Sequence, residues 1–235
     1  MNLLSKIQSI LLESGASLIG FSNLTLLDRR IRKGYILGIS IAVSLNHNII
    51  KNIENGPTIE YHDECDKANK KLDYLSKTIS NFLNGNGYIT DSWGATDDRV
   101  YGHHLTDLPH KTMATLSGIG WIGKCALLIT KEYGSALRLT TVLTNIKIKV
   151  PDMSIKESLC ENCSICVDMC PGKASKGINW YRGLHRDDFF NPDLCRNAAR
   201  KLSKERTGIE LTFCGICIAC CPYTKNYIRC VQTIK

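Results

Sequence analysis

Cys160-Glu-Asn-Cys163-Ser-Ile-Cys166-Val-Asp-Met-Cys170-Pro171 is the stretch on which the reading of this chain turns. Three cysteines at even steps let one short loop wrap a compact inorganic cluster. The fourth, followed by proline, points toward a neighbouring cluster. A related run follows at Cys214-Gly-Ile-Cys217-Ile-Ala-Cys220-Cys221-Pro222, with Cys195 upstream as its missing member. Two such runs predict two [4Fe–4S] clusters and a chain that moves electrons.

The exchange rule of two-cluster ferredoxins, in which the last cysteine of each run serves the other run's cluster, proposes the ligand sets. Cluster one takes Cys160, Cys163, Cys166 and Cys221. Cluster two takes Cys195, Cys214, Cys217 and Cys170. Cys220 leaves an alternative open, because Cys214-x2-Cys217-x2-Cys220 is also a triplet and would free Cys195. Cys221 is preferred, since Cys221-Pro222 mirrors Cys170-Pro171. Zinc is the sharpest competing metal, but a tetrahedral site uses two C-x2-C pairs and has no use for a third cysteine at the same step. Disulfides are disfavoured: Met1 to Gly15 has no basic start and no small-residue cleavage site, so reduced, cytoplasmic cysteine usage is expected. Cys65, Cys125 and Cys230 have no motif around them and read as small buried hydrophobes.

The chain has 235 residues, 43% hydrophobic and 22% charged, which suits an ordinary folded protein of one large or two modest domains. No run approaches the ~20 apolar residues that cross a bilayer, so no membrane partner is expected. The formal charge is +8. Two oxidised clusters at about −2 each would bring it to about +4. Much of the excess lies in Arg196, Arg200, Lys201, Lys204 and Arg206. This reads as a solvated helix face; the alternative is a patch for an RNA backbone or an acidic electron donor, but no aromatic interleaving accompanies it.

Asn2 to Glu13 carries apolar residues at helical spacing, with Gly15 as a stop. Ala16 to Phe21 and Gly38 to Leu45 read as buried strands. Ile59 to Gly85 is the clearest helix: Tyr61, Cys65, Ala68, Leu72, Leu75, Ile79 and Phe82 recur at steps of three and four. Asp91 to His110 is polar and aperiodic, a loop of a length that is usually functional or disordered. A short helix (His110 to Leu116) and two strands (Ala126 to Thr130, Ala136 to Ile146) follow. Beyond Pro151 cysteines and turns take over. These features predict an α+β chain with a mixed α/β domain over 1–150 and a ferredoxin-like domain over 151–235 carrying an insertion at 173–213.

Gly118-Ile-Gly120-Trp121-Ile-Gly123-Lys124 matches G-x-G-x-x-G, but a helix precedes it where a dinucleotide fold requires a strand, and no acidic residue stands ~20 positions on. Two readings stay open: a tight turn packing Trp121 into the core, or a ligand loop offering a flat apolar face and the positive charge of Lys124.

The string from Leu108 through Pro109, His110 and the glycine turn to Lys124, then Ala126 to Thr130, Glu132 to Ser135, Leu143-Thr144 and both cysteine runs, resembles the epoxyqueuosine reductase family, relatives of corrinoid reductive dehalogenases. The resemblance extends to Gly15 to Phe21 and Gly38 to Val43. It implies a nitroreductase-like first domain that cradles cobalamin, fed by the ferredoxin module, and reduction of an epoxide on a modified tRNA base. It implies that Gly118, Gly120, Trp121, Gly123 and Lys124 line or support the corrinoid site. Full-length members continue into a helical-repeat extension that helps hold tRNA, so the chain reads as a short form. The family's proton-donating aspartate lies in an Asp-x-x-Pro segment; here the nearest equivalent is Asp107-Leu-Pro109, at altered spacing.

Reducing a C–O or C–halogen bond consumes electrons and protons, which side chains alone do not supply. An external low-potential donor of flavodoxin or ferredoxin type is implied, with tRNA as the candidate substrate partner. Asp107, then His110, are the expected proton donors. Their plainer roles would be a helix cap and a first-turn surface residue. A pure electron-transfer protein is the alternative function, but a simple carrier does not need ~150 residues ahead of its ferredoxin module.

Overall fold

The structure is a computed structural model that describes residues 2–94, 106 and 108–233. Its elements run α1 (Leu3–Glu13), β1 (Leu18–Asn23), β2 (Leu37–Ser44), α2 (His47–Lys51), α3 (Ile59–Gly85), β3 (Thr90–Trp93), α4 (His110–Leu116), β4 (Trp121–Ile122), β5 (Leu128–Ile129) and β6 (Leu137–Thr144). The cysteine-rich part adds α5 (Ile165–Asp168), α6 (Arg186–Phe189), α7 (Pro192–Thr207), α8 (Ile216–Ala219) and α9 (Pro222–Thr233).

The chain gathers into two compact units, each built from three segments: Met1–Ser44, Lys67–Ile119 and Arg138–Ile155, and Leu45–Asp66, Gly120–Leu137 and Lys156–Lys235. The last change of unit, after Ile155, lies close to the boundary expected at 150. The earlier ones have a simple cause: 45–66 and 120–137 pack with the cysteine-bearing segment although they precede it in sequence.

The first unit is built on a four-stranded sheet in the order β1-β2-β6-β3. β1 and β2 are antiparallel, with Leu18 opposite Ala42 and Asn23 opposite Leu37. β3 and β6 are also antiparallel, Thr90 facing Thr144. Alternation along a strand sends successive side chains to opposite faces. Leu37, Ile39 and Ile41 of β2 and Val142 of β6 therefore meet Ile7 and Leu11 of α1 and Leu72, Leu75, Ile79 and Leu83 of α3. Leu143, one residue on from Val142, turns to the other face and packs with Met113 and Leu116 of α4. Helices thus cover both faces of the sheet.

Local signals explain the helix ends. The Asn2 side chain accepts a hydrogen bond from the Ser5 amide at 2.8 Å and caps α1. In the second unit Asn191 caps α7 through the Asp193 and Leu194 amides, Pro192 opens the first turn, and left-handed Gly208 closes it. The basic stretch lies on this helix and is engaged. Arg200 bonds Glu210 at 2.7 Å, Lys204 lies 3.8 Å from the same carboxylate, and Lys201 pairs with Glu205. Hydrogen bonding and charge from Arg200, then the charge of Lys204, lower the Glu210 pKa. That is the solvated helix face the sequence suggested. No helix among the described residues is long and apolar enough to cross a membrane.

Candidate metal-cluster site

The two cysteine runs fold alike, both within the second unit. Each places its middle cysteine second in a four-residue helix, Cys166 in α5 and Cys217 in α8, followed by a cap residue and the Cys-Pro step. α5 and α8 pack against each other. Left-handed Gly215 opens α8, where an added Cβ would stand 2.4 Å from Ile53 Cδ1.

The neighbours of the last cysteines run crosswise. The Cys221 thiol pKa is raised, first by burial, and further by the negative charge of Cys160 and Cys166 in the other run. The Tyr223 and Thr224 amides, at the start of α9, donate to its sulfur and act the other way. Cys214 is likewise raised, by burial first and then by Cys170 from the other run. The Cys170 sulfur accepts the Ala174 amide at 3.3 Å. Cys220, the open alternative, caps α8 and is buried. Burial, then the charges of Cys166 and Cys221, push its thiol up to about 12. Cys195 lies on α7, half-buried. Among the described residues no three Cys, His, Asp or Glu side chains close around the position of a single metal ion.

The supports of this region come from the glycine turn. Lys124 is 5% exposed. Its ammonium donates to the carbonyls of Glu161 (2.8 Å) and Cys163 (3.0 Å), inside the first cysteine run. A Cβ on Gly123 would lie 3.6 Å from the Cys160 sulfur, and one on Gly120 would strike the Ile129 carbonyl oxygen at 2.4 Å, across the β4–β5 hairpin. Trp121 is 1% exposed and stands edge-on to Tyr223, centroids 4.9 Å apart. Both described sides of this turn are therefore occupied by the protein itself. In the first unit Gly118 has φ +77, and a Cβ there would meet the Met153 carbonyl oxygen at 2.5 Å.

His110 opens α4 in the first unit. Its Nδ1 lies 2.8 Å from Thr141 Oγ1 and its Nε2 3.0 Å from the Gly94 carbonyl. A carbonyl only accepts, so this arrangement suits a ring protonated at Nε2. Asp107, with His103 and His104, lies outside the described residues. Pro109 occupies the N-cap of α4, with no side-chain cap bond.

Sequence reasoning treated Cys125 as a lone buried thiol. It is buried, and it hydrogen-bonds to both Cys166 and Cys217 while its own sulfur accepts the Leu127 amide. Nothing in its spacing signals this, because its partners lie 41 and 92 residues away in the chain.

A sheet unit and a paired-cysteine unit of this kind define a class that known structures share. The fold superposes on a catabolic reductive dehalogenase bound to 3-bromo-4-hydroxybenzoic acid, with a TM-score of 0.72 at 13% identity, over 96% of this chain and 33% of the other. It also superposes on an epoxyqueuosine reductase crystallised with an epoxyqueuosine-modified tRNA-Tyr stem loop, with a TM-score of 0.60 at 21% identity, over 96% and 66%.

In sequence the chain is similar to epoxyqueuosine reductases. With that of Lactococcus garvieae it shares 32% identity over 121 residues, 48% of this chain and 31% of the relative. The matched region spans less than a third of the first curated relatives it resembles. No family model matches.

Proposed function

We propose that the second unit holds two [4Fe–4S] clusters, one on Cys160, Cys163, Cys166 and Cys221, the other on Cys170, Cys195, Cys214 and Cys217, and that the chain is a cytoplasmic reductase of the epoxyqueuosine reductase type. The observation that carries this is the crosswise neighbourhood of the last cysteines: Cys221 beside Cys160 and Cys166, Cys170 beside Cys214. It matches the exchange of ligands between paired clusters. Amide donors at Cys221, Cys170 and Cys214 favour thiolate at these positions, as cluster ligation requires.

When bound, such clusters supply single electrons at low potential. The chain's own residues hold the cage. Lys124 fixes the first loop by two carbonyls, and the Thr224 hydroxyl, which accepts the Ser135 amide at 3.1 Å, fixes the turn behind Cys221. The likeness to dehalogenases and epoxyqueuosine reductases supports a corrinoid as second cofactor in a nitroreductase-like domain over 1–150. It also supports an epoxide on a tRNA base as substrate and a flavodoxin- or ferredoxin-type donor. Gly120, Trp121, Gly123 and Lys124 are consumed by internal packing, so their part toward a corrinoid is support rather than contact. Asp107 stays the proposed proton donor; His110 holds Thr141 and Gly94 together and takes second place.

Substitution tests the exchange. Cys221→Ala is expected to disturb the cluster of the first run, and Cys170→Ala that of the second, each leaving about four of eight irons. The Mössbauer or EPR signature lost with Cys170→Ala should match the one lost with Cys214→Ala. If it matches Cys163→Ala instead, the ligand sets are wrong. Cobalamin titration of the loaded protein, read by its visible spectrum, tests the second cofactor; no spectral shift would leave an electron carrier.

A further inference from the structure

Cys125 belongs to neither cysteine run, yet its thiol touches one member of each. Those members, Cys166 and Cys217, are equivalent: each is the second residue of its four-residue helix and precedes its Cys-Pro step by the same spacing. The turn that presents Cys125 is fixed on every side. Lys124 is bonded to the Glu161 and Cys163 carbonyls, and Ser175 donates to the Lys124 carbonyl at 2.7 Å. The Gly123 amide bonds Leu127 at 2.9 Å, and Ala126 sits at φ +59 to close the turn. The Leu127 amide fills an acceptor position of the Cys125 sulfur, which leaves one proton facing two sulfurs.

We propose that the Cys125 S–H is a shared hydrogen-bond donor placed midway between the two clusters, given to one ligand sulfur at a time, so that it drives their reduction potentials apart. The inference rests on the cluster reading above. A hydrogen bond to a ligand sulfur favours the more negative state of its cluster. Whichever sulfur carries more negative charge attracts the proton, and the other loses it. The first electron is thereby eased and the second opposed. No bond breaks, and the proton stays on Cys125. Its role is to tune Cys166 and Cys217, not to ligate iron or touch substrate.

The test uses the full chain, reconstituted without oxygen, as wild type, Cys125→Ala and Cys125→Ser. Iron is assayed first, then a potentiometric titration is followed by EPR. Wild type is expected to show two separated one-electron steps. Cys125→Ala should keep its iron and bring the steps together by about a tenfold change in how the first electron divides, which is about 59 mV for a one-electron couple. Cys125→Ser, which keeps a donor, should retain the separation. Unchanged separation in a fully loaded Cys125→Ala protein overturns the proposal. So does Cys125→Ser behaving as Cys125→Ala, or equal iron loss in both, which would make the residue packing or a ligand. Wild type holding far fewer than about eight irons would fell the cluster reading itself.

Discussion

Lys124 shows how a single residue changes meaning between sequence and structure. Beside three glycines it looks like a charge offered to a ligand; in the fold its ammonium is spent on the Glu161 and Cys163 carbonyls. Lys124→Met should cost about 2 kcal/mol of stability, because the Cys163 carbonyl is left unsatisfied. It should also lower iron content toward half, as the first loop loosens. A variant with full iron but altered cobalamin binding would restore the ligand-loop reading. At Cys220 the folded thiol sits at about 12, well above the ~8.5 of an unfolded cysteine. Folding therefore favours the protonated form. This contribution is complete below about pH 8.5 and is lost as pH rises toward 12. Urea midpoints of the reduced, iron-free protein should fall between pH 8 and pH 10, and Cys220→Ser should flatten that fall. An equal fall in both proteins would assign the slope to other groups.

At the scale of elements, the strongest periodicities were readable and the shortest pieces were not. The stripe from Tyr61 to Phe82 marks α3 to its last residue, because six turns of apolar repeat leave no strand alternative. It misjudges the far end: Leu83 is fully buried, while Phe82 only borders the core. β3 and α2 escaped notice, since four or five polar residues carry no period and are held by their partners: β3 by its ladder with β6, α2 by its Asn46 cap. Ile79→Ala, emptying a site at 0% exposure, should cost about 2–5 kcal/mol, read as a denaturant midpoint shift without a change in slope. Gly118→Ala should destabilise comparably, since φ +77 and the Met153 carbonyl both exclude a Cβ. A neutral result would mean that the turn relaxes freely.

Across the whole molecule, the cysteine runs were legible because ligand spacing is local chemistry. The pairing of Cys125 with Cys166 and Cys217, and the recruitment of 45–66 and 120–137 into the second unit, were not, because only tertiary packing brings those residues together. The antiparallel ladders and the helix ahead of the glycine turn also bear out the rejection of a dinucleotide fingerprint, which needs a strand–turn–helix. The proposed electron path depends first on what the eight cysteines hold. Iron and sulfide analysis of anaerobically reconstituted protein, with EPR after reduction, measures this directly. The prediction is about eight irons per chain and two interacting reduced-cluster signals; stoichiometric zinc, or about four irons with a single signal, would contradict it.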